Sequence, residues 1–448
     1  MFMAMPARRA ILVAFLGAWL FLPVFGYKLP GFPDYTKVTA TSLAVALCTV
    51  LFDSARLFSF RPRWFDLPML VWCCVPFASA VSTGYGAYEG LSGVFTCLVM
   101  WAIPYFIGRI YFSDLSGAKE IALAIVIGAV VYVPFCWWEI RMSPGLHRFF
   151  YGFHQHSIVQ TRRLGGYRPM VFMQHGLAVG LFMSLGTLLS LWCWTSGSFK
   201  RIWNIPASWI TAVLALTSVL CKSTGAILIL MAGCGVWFGA RYVRTPLVMV
   251  LIVAVPIGYM SARTVGGWKG QELIEGAAML GSAQADSLQF RINSENGVWD
   301  IIRRGDALLG SSRFSYSGEK TEASNNQKII GDGMWIIALG KYGVLGLFAW
   351  AGALILPGLG MAWKVPARTW GSAAIAPAAA LAVIGVLYLW DSMMNAMVNP
   401  VWLVAMGSAM GCAFQRRVET GRQGVRPVQI APPPPPGPFP RAGEAVSS

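Results

Sequence analysis

Stretches of roughly 17 to 25 apolar residues recur along almost the whole chain, and that is the length an α-helix needs to cross the hydrocarbon core of a bilayer. About twelve candidate spans stand out, near residues 10–26, 38–52, 67–83, 90–108, 119–138, 170–195, 206–221, 224–240, 245–261, 333–358, 371–391 and 394–411. Composition agrees: 56% of the 448 residues are hydrophobic, 12% are charged and the mean hydropathy is +0.58, whereas a soluble domain carries about 25% charge. The expected fold is an all-α polytopic membrane protein whose solvent is lipid. The second span is short enough to be partly re-entrant, and Cys221 to Gly225 leaves only a tight turn between the seventh and eighth.

Orientation follows from Lys and Arg in the short loops. Arg8 and Arg9 precede the first span, and the even-numbered exits carry Arg56, Arg61 and Arg63, then Arg109 and Lys119, Lys200 and Arg201, Arg241 and Arg244, Lys364 and Arg368, and Arg416 and Arg417. Both termini are therefore expected on the cytoplasmic side. The first span lacks a small-residue cleavage site of the A-x-A kind and ends among Pro23 and aromatic residues, so it reads as a retained anchor and not a signal peptide. Residues 1–412 form the expected transmembrane domain, and 413–448, with the proline run from Pro432, a cytoplasmic tail too polar and proline-rich to pack. The net charge of +16 follows topology and does not indicate a nucleic-acid partner. All nine cysteines fall in or beside apolar spans without C-x-x-C spacing, which makes them buried small hydrophobes and not metal or redox ligands.

Two loops expected outside the cytoplasm break the charge pattern. Residues 139–168 carry Arg141, Arg148, Arg162, Arg163 and Arg168 against the single acid Glu139, with His147, His154 and His156 among them. Residues 262–331 carry Arg263, Lys269, Arg291, Arg303, Arg304, Arg313, Lys320 and Lys328 interleaved with acids. Within the second loop, Leu288, Ile292, Glu295, Trp299 and Ile302 form one stripe of an amphipathic helix, suited to lying on a membrane surface. Arg291 stands four residues before Glu295, the spacing of an intrahelical ion pair. The alternative for these arginines is a shared anion: a guanidinium fork meets phosphate oxygens bidentately without losing its charge, and a pyrophosphate at the outer leaflet would suit several of them.

Several segments resemble a known family. GGYRPMVFMQHGLAVG opens the sixth span with Arg168 at its mouth, KSTGAILILMAGCGVWFG opens a later one, and IIGDGMWIIALGKYGVLGLF carries a G-x-x-G from Gly343 to Gly346 after the long loop. With the twelve-span layout and Arg291 ahead of Trp299, the chain is similar to the O-antigen ligase and O-antigen polymerase superfamily of bacterial inner-membrane proteins. The resemblance implies a GT-C-like membrane fold and an inverting, metal-independent glycosyltransferase that needs no cofactor. Its donor would be a glycan on undecaprenyl diphosphate, its acceptor a hydroxyl of a glycan, lipid or protein, and its products lipopolysaccharide or exopolysaccharide of the cell envelope.

Carried over by position, Arg168 and Arg291 are the expected diphosphate ligands. Arg163, with its neighbour Arg162, reads either as their assistant or as an ordinary loop charge. Where ligases of the family place a histidine before the span that follows the long loop, this chain has Asp332, a candidate base or else the N-cap of that span. His175, near the start of the expected sixth span, is the rival base or a neutral histidine bonded to a neighbouring helix. His154 and His156 have a spacing that suggests a metal, but nearby ligands of other types are missing. Asp391, gathered with Asn395 and Asn399, is a possible sugar contact or part of a polar interhelical turn. A transporter or flippase of a lipid-linked or anionic solute is the alternative function, although the chain has no evident internal repeat of the kind such proteins carry.

Overall fold

The computed structural model describes residues 1–28, 34–157, 161–163, 165–265, 267–279, 281–302, 306–311 and 333–414. The helices are α1 (Ala7–Phe21), α2 (Lys37–Phe52), α3 (Ser54–Ser59), α4 (Leu67–Ser82), α5 (Ala87–Cys97), α6 (Ile103–Tyr111), α7 (Leu115–Met142), α8 (Leu146–Tyr151) and α9 (Gly176–Thr195). They continue as α10 (Ala207–Leu220), α11 (Thr224–Phe238), α12 (Leu247–Thr264), α13 (Gln271–Ala278), α14 (Ser282–Ile302), α15 (Met334–Lys364), α16 (Ala376–Met394) and α17 (Pro400–Phe414). Among the described residues the strands form three antiparallel two-residue pairs: β1 (Gly26–Tyr27) with β2 (Tyr35–Thr36), β3 (Arg162–Arg163) with β4 (Gly166–Tyr167), Arg162 opposite Tyr167, and β5 (Arg201–Ile202) with β6 (Ile205–Pro206). Among the described residues, eight helical stretches are long and apolar enough to cross a membrane, and three shorter apolar helices, α2, α10 and α17, accompany them.

Helix starts follow local chemistry. The Asp114 carboxylate takes the Gly117 amide at 2.6 Å and opens α7, where a negative charge also suits the helix dipole. The 28 residues of α7 rise about 42 Å, enough for its last turns to clear the hydrocarbon core. Burial ranks the bundle: 89% of the apolar window of both α9 and α16 is inside the protein, against 33% for α11 and α12. The small residues of α16, from Ala376 through Ala382, let neighbouring helices close on it without a hydrophobic drive.

The starts of α1 and α7 share one face, joined by the Arg8–Asp114 ion pair at 2.6 Å. Their other ends meet at the opposite, distal face, where the Tyr132 hydroxyl donates to the Leu20 carbonyl at 3.0 Å and Tyr151 donates to the Phe21 carbonyl. A buried Arg109–Asp66 pair at 2.9 Å, joined by Tyr105, braces α6. Arg109, which the loop pattern treats as a topology signal, is thus a core residue.

The sixth predicted span begins later than its hydropathy suggests. Met170 to His175 is irregular, with Val171 at φ 50°, and α9 starts only at Gly176. Buried side chains satisfy the backbone there: the Glu139 carboxylate accepts the Met170 and Val171 amides at 2.8 and 2.7 Å, and the Tyr132 hydroxyl accepts the Phe172 amide at 3.0 Å. Non-helical backbone at this depth requires such partners.

α15 is broken at Gly343 (φ 62°, ψ −163°). Residues 306–311 dock on the break: the Val344 and Leu345 amides donate to the Ala307 and Leu308 carbonyls at 2.9 and 3.2 Å, and the Ser311 amide donates to the Gly340 carbonyl at 2.9 Å. A Cβ at Gly343 would run into the Leu308 backbone, which explains the first glycine of the G-x-x-G.

α14 forms where the amphipathic stripe predicts it, but its apolar face is turned to protein. Ile292 is 1% exposed and Glu295 4%. Glu295 reaches the Arg263 guanidinium of α12 at 3.1 Å, the Tyr259 hydroxyl at 2.7 Å and the Trp335 indole of α15 at 2.9 Å. The expected Arg291–Glu295 pair is replaced by this long-range one. Asp332, Arg303, Arg304, the side chain of Trp299 and the proline-rich tail from residue 415 lie outside the described residues.

Candidate functional site

The distal face gathers four cations from three separate segments. Arg168 follows β4, its amide held by the Thr161 carbonyl at 2.7 Å. Its side chain is 8% exposed and lies across the first turn of α9, where a Cβ on Gly176 would stand 2.5 Å from its Cγ and Cδ atoms. Its Nη2 donates to the Lys222 carbonyl at 2.8 Å, while its Nε is buried with no hydrogen-bond partner among the described residues. Lys222 occupies the turn between α10 and α11 at φ 51° and rests its ammonium against Gly166 of the β3–β4 hairpin. Arg163 stands beside Gly166 in the same hairpin.

Arg291 arrives from α14, one turn before the Glu295 anchor. Its Nη2 donates to the Asn395 Oδ1 at 3.2 Å, and the Asn395 amide donates in turn to the Asp391 carboxylate at 2.8 Å. Asp391 is buried behind Asn395, so it orients the amide that faces Arg291.

The electrostatics show that these groups are close. Burial, followed by the charges of Arg163 and Arg291, lowers the Arg168 guanidinium to about 10, still cationic at neutral pH. Burial, then His156, Arg168, Arg291 and Arg163, pushes His175 down to about 3. Like charges collected at the positive end of α9 repel one another and the helix dipole, and an anion relieves both terms.

His175 is the N-cap of α9 and not a residue within a helical span. Its Nδ1 accepts the Leu177 amide at 3.0 Å, which places the ring proton on Nε2. In that tautomer it donates a hydrogen bond and has no free lone pair with which to take a proton. His156 packs edge-on against it, ring centroids 4.7 Å apart, with a buried Nδ1 that has no hydrogen-bond partner among the described residues. His147 is structural: its Nδ1 meets the Phe153 carbonyl at 2.8 Å and its Nε2 accepts the Val24 amide at 3.1 Å. Among the described residues no three His, Cys, Asp or Glu side chains gather as metal ligands.

The structure thus brings together Arg163, Arg168, Arg291, His175 and, through Asn395, Asp391; Asp332 falls outside the described residues. Sequence reasoning missed Lys222, and it offered Asn395 only beside Asp391 as a sugar contact and His156 only as a metal ligand. The one available signal was a lysine in a three-residue turn between two apolar helices. No protein-family model matches the chain, and neither does any characterised protein.

Proposed function

We propose that the distal face binds the diphosphate of a lipid-linked glycan and that the protein transfers this glycan to an acceptor hydroxyl. The carrying observation is the convergence of Arg163, Arg168 and Arg291 at the start of α9, with a buried guanidinium Nε that has no partner among the described residues. A diphosphate offers that Nε an acceptor and offsets the mutual repulsion of the cations.

On this reading the acceptor hydroxyl attacks the anomeric carbon, the bond to the diphosphate oxygen breaks with inversion, and the hydroxyl proton passes to a base. Charge grows on the leaving diphosphate, where Arg168 and Arg291 stabilise it and the Nε2–H of His175 adds a donor. Asp332 is the proposed base by its place in the sequence before Gly333, and Asp332→Asn is expected to abolish transfer. The reading also takes α1, α2, α10 and α17 as passes beside the eight long helices, giving twelve, with both termini cytoplasmic in a bacterial inner membrane.

Reconstitution with an undecaprenyl-diphosphate-linked oligosaccharide tests the proposal. Product formation should accompany release of undecaprenyl diphosphate, and Arg291→Ala should abolish both while the protein still inserts. Transbilayer movement of the donor without release under any acceptor would establish the flippase instead.

A further inference from the structure

On the face opposite the anion site, α1 and α7 diverge around a groove of about 740 Å³. Its walls are Leu12 and Val13 from α1 and Leu123 and Ile127 from α7. Its mouth is charged, lined by Arg8, Arg9, Arg56 and Glu120. From Glu120 to Ile127 the helix rises about 10 Å, so a polar rim passes into an apolar slot within two turns.

The charges at the mouth are not equivalent. Arg8 is committed to protein: it donates to the Tyr111 carbonyl at 2.7 Å, Ser116 at 2.9 Å, Glu120 at 3.1 Å and Asp114 at 2.6 Å. Arg56 is held over the Tyr111 ring, 5.1 Å from its centroid, and Tyr111 is itself fixed by a bond to Asp53 at 2.9 Å. Among the described residues neither Arg9 nor Arg56 has an ion-pair partner within 4.0 Å, and both are exposed. Glu120 meets Arg8 through one of its two oxygens. The rim thus offers two guanidinium groups for an anion and a carboxylate for a cation, above a slot for a hydrocarbon chain. We infer that this groove is a phospholipid site selective for a phosphate headgroup that also bears a primary amine, the phosphate meeting Arg9 and Arg56 and the ammonium meeting Glu120.

Charge pattern decides the class. Asp114, just outside the groove, neutralises Arg8, so the mouth sets Arg9 and Arg56 against the Glu120 carboxylate; that carboxylate repels a purely anionic headgroup and rewards one with an ammonium, and a quaternary amine has no N–H to offer it. Native mass spectrometry of the purified full-length protein, supplied with equal amounts of phosphatidylethanolamine, phosphatidylglycerol and phosphatidylcholine, tests this. Phosphatidylethanolamine should be retained several-fold over the other two. Glu120→Gln, which keeps an acceptor for Arg8, should bring it down to the phosphatidylcholine level, and Arg9→Gln with Arg56→Gln should lower retention several-fold. Arg61→Gln, away from the groove, should change nothing. Retention of phosphatidylglycerol equal to or above phosphatidylethanolamine, or unchanged retention in the Arg9 and Arg56 double variant, would overturn the assignment. Arg9 makes no side-chain bond with the described residues and Arg56 only lies over the Tyr111 ring, so the double variant breaks no hydrogen bond or ion pair among them.

Discussion

Glu295→Gln should detach the helix that carries Arg291. The Glu295 Oε2 accepts from Tyr259 at 2.7 Å and from two Arg263 nitrogens at 3.1 and 3.2 Å, while Oε1 accepts from Trp335 at 2.9 Å. Every partner is a donor, so an amide NH2 in either position faces an N–H or O–H. Arg263, 2% exposed, also loses its counter-charge. Removing one partner of a buried ion pair costs about 3–5 kcal/mol, and at about 1.4 kcal/mol per factor of ten the open population of α14 rises by roughly two to three and a half powers of ten. Hydrogen–deuterium exchange over residues 282–302 should accelerate accordingly, and glycan transfer should fall with it because Arg291 leaves the site. Replacing both partners, Arg263→Met with Glu295→Met, removes the unpaired charge and should recover much of the protection. Exchange in Glu295→Gln within threefold of the parent, or a double variant as unprotected as the single one, would refute the reasoning.

Other outcomes follow from the same geometry. Gly176→Ala pushes a Cβ into the Arg168 side chain and to 2.9 Å from the Pro169 carbonyl; donor turnover in the reconstituted assay should drop at least about tenfold, the effect of about 1.4 kcal/mol, while Gly225→Ala, which meets nothing within 4 Å, should leave it unchanged. Glu139→Gln puts an NH2 against two of the four amides that the carboxylate now accepts, costing about 1–3 kcal/mol for each donor left unsatisfied, and should lower the melting temperature and speed exchange over residues 143–175. His175, held near 3 in the folded protein chiefly by burial, contributes stability above its unfolded value near 6.5 and loses it as the pH falls toward 3. His175→Asn, which can still cap α9 but does not titrate, should therefore lose less melting temperature than the parent between pH 6.5 and 4.

Much of the bundle is legible in the sequence because hydropathy is a local property. The predicted spans coincide with helices to within a few residues wherever a helix is bounded by its own cap or turn, as at Asp114 and at the Cys221–Ser223 turn. The amphipathic period of residues 288–302 likewise gives a helix, because the spacing that makes the stripe is intrinsic to the chain. The sixth span was misjudged for a reason local reading cannot supply. Met170 to Met173 is apolar enough for a helix, and only Glu139 and Tyr132, some 30 to 40 residues away in sequence, divert its amides.

The sequence by itself determined that the fold is a helical membrane bundle and that arginines accumulate in two loops, 139–168 and 262–331. Which arginines are paired within the protein and which converge was decided by tertiary structure. Arg263 and Arg291 lie in one charged loop and look alike in sequence, yet the first is neutralised by Glu295 and the second is carried by that same anchor toward Arg168. Charge type is written residue by residue, but pairing depends on which donors and acceptors arrive at the same place, and burial makes that pairing obligatory.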